Sequence, residues 1–165
     1  MIRVDHAGEY GAMRIYEGQL AVLEARSRDR KAVAAIRRMA EQESRHLERF
    51  DQLVNERKVR PTALSLVWQV AGFALGAGTA LLGTRAAMAC TAAVEEVIDD
   101  HYAGQIERLD HDPELKETVS EFREDEIAHR DEALAHGAEE ALAYRLLSET
   151  IKAGCRLAIR LSEKL

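Results

Sequence analysis

The sequence predicts an all-α protein: a four-helix bundle with a long apolar crossover at its middle and an extra C-terminal helix. Three observations carry this. The 165 residues include only 2 prolines and 10 glycines, so helix breakers are few. Apolar residues recur at three- and four-residue steps in five long stretches, and no stretch alternates with period two. Two short polar segments, Ser27–Arg30 and Asp110–Pro113, fall between those stretches like tight connections.

The elements follow in order. A helix near 5–26 carries Ala12, Met13, Tyr16, Leu20 and Leu23 on one stripe. A second, near 31–57, carries Val33, Ile36, Met39, Phe50, Leu53 and Val54. A third, near 85–109, carries Met88, Thr91, Ile98, Tyr102, Ile106 and Leu109, and a fourth, near 114–136, Leu115, Val119, Phe122 and Ala133. The fifth stretch, 139–163, sets Leu142, Leu146, Ile151, Leu157 and Leu161 among charges. Residues 1–165 read as a single domain of a size that can bury its own core.

Composition excludes several classes. Lys and Arg number 23 against 29 Asp and Glu, a net charge of -6, which argues against a nucleic-acid binder. With 47% hydrophobic residues the chain is too apolar to be disordered. Cys90 and Cys155 fit neither a disulfide framework nor a zinc spacing and read as buried small side chains. The first residues lack the apolar run of a signal peptide.

The crossover is the oddest segment. From Pro61 to Thr84 there are 24 residues without one charge. A membrane span needs about 20 apolar residues, but Gly72, Gly76, Gly78, Gly83, Ser65 and Gln69 weaken that reading. Basic residues flank both sides: Arg57, Lys58 and Arg60 before, Arg85 after. A segment lying on a bilayer surface with Trp68 near the headgroups, and a helix packed in the core, are the other two readings.

Polar residues placed on apolar stripes point to chemistry. Glu9 lies on the first stripe, Glu43 and His46 on the second, Glu95 on the third, Glu126 and His129 on the fourth. Glu-x-x-His puts both side chains on one helix face. Glu9 and Glu43 are equidistant from Arg26, at the edge of the first connection. Glu95 and Glu126 are equidistant from the Asp110–His111 pair inside the second. In an antiparallel hairpin, residues equidistant from the turn stand level, so each hairpin sets a Glu against a Glu-x-x-His. The chain is thus one plan used twice, with its copies about 80 residues apart.

Any one of these acids alone reads as a solvated surface group. Four carboxylates and two imidazoles turned into one bundle form the ligand pattern of a di-iron or di-manganese site. Four buried carboxylates without partners would cost many kcal/mol, and two divalent ions would neutralise them. Glu95 shares its stripe with Met88, Thr91, Ile98 and Tyr102, whereas Glu96 faces Asp99, Asp100 and Glu107 and reads as solvent-exposed. His101 and Tyr102 lie near the site; Tyr16 and Tyr102 fit a core role as well as a site role. His136 reads as marking the end of the bundle. For the hairpin loops to lie at opposite ends, the second-to-third link must run the length of the bundle, about 38 Å for 25 residues.

Longer strings extend the pattern: Arg-Val-Asp-His-Ala-Gly-Glu-Tyr-Gly-Ala at 3–12, Gly-Phe-Ala-Leu-Gly-Ala-Gly-Thr-Ala-Leu-Leu-Gly at 72–83, Ala-Met-Ala-Cys-Thr at 87–91 and Val-Glu-Glu at 94–96. His101-Tyr102, Ala-Gly-Cys at 153–155 and Leu-Ser-Glu-Lys-Leu at 161–165 complete it. With these strings the chain resembles, over essentially its whole length, the demethoxyubiquinone hydroxylases of ubiquinone biosynthesis. The resemblance implies a ferritin-like di-iron monooxygenase that hydroxylates a demethoxyubiquinone or demethoxyubiquinol ring with O2. It implies Glu9, Glu43, His46, Glu95, Glu126 and His129 as ligands of two Fe ions, with His101 and Tyr102 beside the quinone. It also implies an external reductant such as NADH, although the chain has no Gly-rich nucleotide motif. It implies peripheral attachment to a membrane surface, either the cytoplasmic face of a bacterial inner membrane or the mitochondrial matrix side. A polyprenyl quinone is the expected substrate, and a lipid-binding protein of the biosynthetic complex and a homo-oligomer are further expected partners. Three alternatives compete: a ferritin-type iron-storage protein, a quinol oxidase of the alternative-oxidase kind, and a non-enzymatic lipid-binding helical module.

Overall fold

A computed structural model describes residues 1–164. Among these residues there are six α-helices and no strand: α1 (Ile2–Arg26), α2 (Arg30–Glu56), α3 (Ser65–Leu81), α4 (Thr84–Ile106), α5 (Pro113–Ala135) and α6 (Tyr144–Lys164). Both tight connections are closed by caps. The Asp29 side chain accepts from the Ala32 N–H at the start of α2, and Asp112 accepts from the Leu115 N–H at the start of α5, where Pro113 occupies the first turn.

The direction of each helix follows from its contacts. Tyr16 meets Glu95 and Tyr102 meets Glu9, so α1 and α4 are antiparallel. Arg38 pairs with Glu132 and Arg49 with Glu114, so α2 and α5 are antiparallel too. Ser27 at the end of α1 touches Thr84 at the start of α4, while Arg57 at the end of α2 pairs with Asp112 before α5. The hairpin loops therefore lie at opposite ends of the bundle, as the sequence predicts.

The crossover resolves into α3, which runs parallel to α1 and packs along it. Two apolar helices can approach this closely only through glycine. A Cβ at Gly76 would lie 2.0 Å from the Ile15 carbonyl oxygen, and one at Gly72 would lie 2.8 Å from that of Gly11. One face of α3 is thereby buried, at Gly72, Gly76, Thr79 and Ala80, while Leu66, Val67, Val70 and Leu81 stay exposed on the other. No described helix is long and apolar enough to cross a membrane, so the spanning reading falls.

The last helix starts later than the periodicity suggests. Gly137, with φ +81°, ends the α5 region, a 3-10 turn covers Ala138–Glu140, and Ala143 takes φ +54° before α6 begins. Helix α6 lies on α4, tied by Lys152 to Glu96 and by Arg156 to Asp100, and meets α3 where the Trp68 indole N–H donates to Ser162 Oγ at 3.0 Å. Glu96 is therefore not a free solvent-facing acid, as its sequence neighbours suggest; a cation from α6 half-covers it.

Among the described residues three apolar clusters fill the core, one around Leu23, Ile36, Met39 and Met88, one around Phe50, Leu53, Leu109 and Val119, and a smaller one of Ile15, Cys90, Ala93, Val94 and Ile151. Glu9, Glu43, Glu95 and Glu126 are buried in the same bundle.

Candidate metal centre

Each of the four core helices contributes one buried Glu, and α2 and α5 add His46 and His129. Their donor atoms gather into two groups, Glu9–Glu43–His46–Glu126 and Glu43–Glu95–Glu126–His129, each spanning no more than 4.8 Å. Glu43 and Glu126 belong to both. The equidistance of these acids from their loops thus corresponds to a true convergence in space.

The donors crowd together without satisfying one another. His46 Nδ1 lies 3.2 Å from Glu126 and 3.5 Å from Glu9; His129 Nδ1 lies 3.1 Å from Glu43 and 3.4 Å from Glu126. Yet both Nδ1 atoms, both oxygens of Glu43 and of Glu126, and one oxygen each of Glu9 and Glu95 lack a hydrogen-bond partner. Buried polar atoms are normally paired. An orphaned set of carboxylate and imidazole donors sharing two small volumes fits divalent cations, and this donor chemistry suits iron or manganese.

Electrostatics leads to the same reading. Burial, reinforced by repulsion from Glu126, pushes Glu43 and Glu95 well above the usual carboxylate range, and burial raises Glu126 as well. Glu9 is the exception: burial works against its charge, but His46, Glu43 and Tyr102 outweigh it and hold Glu9 low. Burial also works against a charged His46, yet Glu126 and Glu9 lift it to about 11. Without a counter-cation the cluster must therefore keep protons it would not keep in water.

Outside the donors lies a ring of supports that sequence reasoning did not single out. His46 Nε2 donates to Asp125 at 3.0 Å and His129 Nε2 to the Gln42 carbonyl at 3.2 Å, while the Gln42 amide donates to Asp125 at 3.3 Å. These bonds hold each ring with Nδ1 turned toward the carboxylates. The signal was available, since Gln42 and Asp125 each directly precede the Glu of a Glu-x-x-His motif. The two tyrosines take the site role: Tyr16 donates to Glu95 at 2.5 Å and Tyr102 donates to Glu9.

Beside the cluster an apolar cavity of about 430 Å³ opens between α1, α3, α4 and α6. Ala7, Gly11, Ile15, Leu75, Val94 and Ile151 line its body; Asp5, Glu9, His101 and Tyr102 are polar members at one side, and Trp68, Thr150 and Ser162 add polar atoms elsewhere on the wall. Asp5 is buried and accepts from Gln105 at 2.5 Å and from His101 at 3.1 Å. His136, by contrast, lies beyond the last turn of α5, away from these groups.

The model of the family described as ubiquinone biosynthesis protein COQ7 matches residues 1–162. The chain belongs to that family. It is 56% identical over 164 residues to the 3-demethoxyubiquinol 3-hydroxylase of Rhodospirillum rubrum, covering 99% of this chain and 76% of that one. It is 53% identical to the human mitochondrial NADPH-dependent 3-demethoxyubiquinone 3-hydroxylase, across 100% of this chain and 76% of the relative. The mitochondrial 5-demethoxyubiquinone hydroxylase of Saccharomyces cerevisiae is 40% identical over 181 residues, 100% of this chain and 77% of its own. This membership sets the chain apart from storage ferritins and alternative oxidases.

Proposed function

We infer that this chain is a demethoxyubiquinol hydroxylase, an O2-dependent monooxygenase of ubiquinone biosynthesis. One observation carries the reading: Glu9 belongs to the donor cluster and also lines the apolar cavity, so whatever the cavity holds lies against the cluster. An iron-storage protein has no use for such a cavity, and the names of the relatives agree with a hydroxylase.

Two iron ions would find their ligands in the two donor groups, Glu9, Glu43, His46 and Glu126 in one and Glu43, Glu95, Glu126 and His129 in the other. Bound there, the ions would supply O2 activation. The protein's own groups do the rest. Tyr16 and Tyr102 fix the outer carboxylates by donating to them. Asp125 and Gln42 hold the imidazoles in the tautomer that leaves Nδ1 free. The apolar wall excludes water and accepts a polyprenyl chain, and His101 and Tyr102 stand beside the ring.

The exposed side chains of α3 and α6 support membrane attachment. Leu66, Val67, Val70, Leu142, Leu146 and Leu157 are exposed apolar groups on the two helices that flank the cavity and on the segment leading into α6. Arg145, Arg156 and Arg160 on α6 suit anionic headgroups. A substrate too apolar to leave the bilayer would enter from that side. Reducing equivalents come from an external donor, for which a nicotinamide nucleotide is the natural class because relatives are named NADPH-dependent.

Metal analysis and vesicle flotation test this reading together. Iron-supplied protein should carry about two iron ions per chain, the content expected of this ligand set, and should float with anionic vesicles. Replacing Leu66, Val70 and Leu146 by Ser should abolish flotation and leave iron content unchanged. One tightly held zinc, with hydroxylation surviving iron chelation, would overturn the assignment.

A further inference from the structure

The cavity lies between two pairs of helices: α3 packs along α1, and α6 rests on α4. A seam runs between α3 and α6, and its two ends are closed differently. At one end Leu75 and Leu147 pack against the buried cluster that holds Ile15, Val94 and Ile151. At the other end the Trp68 indole N–H donates to Ser162 Oγ at 3.0 Å. Among the described residues this is the only hydrogen bond or ion pair that joins the two helices. Between the ends the cavity wall includes the small residues Ala71 and Gly72 on α3 and Gly154 and Ala158 on α6.

Helix α6 is anchored unevenly. Ile151 sits in a core cluster with Cys155 packed against it, and Lys152 pairs with Glu96 at 2.7 Å. Beyond Cys155, no described side chain of α6 belongs to a core cluster. Two contacts tie down those last turns. One is a long pair between exposed groups, Arg156 and Asp100 at 3.7 Å, which adds little stability. The other is the Trp68–Ser162 bond. A segment with so few buried contacts opens at low cost. This weak end is also the polar end. Lys152 meets Glu96 and Arg156 reaches Asp100, so α6 runs parallel to α4 and carries Ser162 past the level of His101 and Tyr102. Tyr102 in turn donates to Glu9 of the donor cluster. On the outer side, Trp68 stands among the exposed Leu66, Val67 and Val70. An apolar ligand arriving over that face comes first to the Trp68–Ser162 end of the seam.

We propose that the Trp68–Ser162 pair is the gate of the cavity. It parts to admit a tailed ring at the polar end and re-forms behind the ring, while the tail lies along the small residues of the α3–α6 seam. The last turns of α6 are the moving part, and Ile151 and Lys152 are the fixed part. The inference rests on the hydroxylase reading above and deepens it by naming where the ring enters and what closes over it.

Trp68 is the only tryptophan in the chain, so its fluorescence reports on the gate without a label. The purified full chain in detergent is mixed rapidly under argon with a short-tailed demethoxyquinone and, separately, with its hydroquinone, and the change in Trp68 fluorescence is followed. The observed rate should level off as ligand concentration rises, because opening limits entry. Ser162→Ala removes the acceptor of the gate bond and should raise that plateau about 2- to 10-fold, the range for one neutral hydrogen bond. Hydrogen exchange gives a second measurement. Amides of residues 156–164 should exchange faster than those of 144–152 and should slow when the ligand is bound. A plateau equal in wild type and Ser162→Ala would overturn the gate. So would exchange of 156–164 that the ligand leaves unaltered, and this arm decides alone if Ser162→Ala fails to fold. In both cases a saturable fluorescence change leaves the hydroxylase reading standing. No saturable change with either form of the ring would overturn that reading, and the gate with it.

Discussion

The Tyr16 hydroxyl on α1 donates to Glu95 on α4 at 2.5 Å, and Tyr102 on α4 returns the contact to Glu9 on α1. Each tyrosine stands seven residues after the Glu of its own helix and serves the Glu of the opposite one. Gln19 and Gln105 repeat the relation farther along, reaching Thr91 and Asp5. The twofold plan of the chain thus extends from the acids to the groups that hold them in place.

Removing either hydroxyl should weaken the protein measurably. In Tyr16→Phe, Glu95 Oε1 loses its donor while fully buried. A loss of about 1–3 kcal/mol is expected for a buried acceptor left unpaired. Tyr102→Phe should behave alike, because its partner Glu9 is equally buried. Urea unfolding of the metal-free protein measures both, and an unchanged midpoint in either variant would contradict the pairing.

The neighbours Glu95 and Glu96 should separate cleanly. Glu95 faces the cluster, whereas Glu96 pairs with Lys152 at 2.7 Å with a side chain 42% exposed. Glu95→Gln should lose metal and hydroxylation together. Glu96→Gln should keep both and cost somewhat more than the loss of an exposed ion pair, about 0.2–1 kcal/mol, because it leaves the buried Lys152 ammonium without its carboxylate. Metal content and product formation in the two variants provide the check, and the reverse outcome would mean that α4 is rotated by one residue.

Acidity should act oppositely on the metal-free and metal-loaded forms. Glu43, Glu95 and Glu126 are raised above 4.5 in the folded state, and His46 is raised from 6.5 to about 11. Over this range the native state holds more protons than the unfolded chain. Metal-free stability should therefore fall as pH rises between about 5 and 9. His129, lowered by burial, opposes this only below 6.5, and Glu9, held low, acts only below 4.5. Metal binding displaces those protons, so the stabilisation by added Mn2+ or Fe2+ should grow with pH. Melting curves with and without metal across the range test both signs.

Glycines in α3 should differ by position. Ala at Gly76 would drive its Cβ into the Ile15 carbonyl, a clash with backbone that cannot rotate away. A loss of about 1–3 kcal/mol or more is expected for overpacking of this kind. Ala at exposed Gly78 meets nothing within 4 Å and should stabilise the helix by up to about 1 kcal/mol. Thermal melting of the two variants distinguishes them.

Much of this arrangement is legible in the sequence because it is local or symmetric about a loop. The tight connections at 27–30 and 110–113, the stripes and the equidistant acids all express the geometry of one helix or one hairpin. Contacts between hairpins are not written that way. The antiparallel register of α1 on α4, which pairs Tyr16 with Glu95 and Asp5 with Gln105, depends on how two distant segments dock. The crossover's reading stays open in the sequence because an unbroken apolar run has no polar face to set its phase. Its buried side emerges only from the close approach at Gly72 and Gly76. The late start of α6 follows from positive φ at Gly137 and Ala143, and an alanine gives no warning of that.

The central claim is that the buried Glu and His cluster supports insertion of oxygen into a ring held in the adjoining cavity. The most direct test is the mass of the product formed from a short-chain demethoxyhydroquinone under isotopically labelled O2, with iron-loaded protein and a chemical reductant. The account predicts a ring carrying one labelled oxygen atom, and no such product from Glu43→Ala. A quinone with no added oxygen, formed while O2 is consumed, would contradict it.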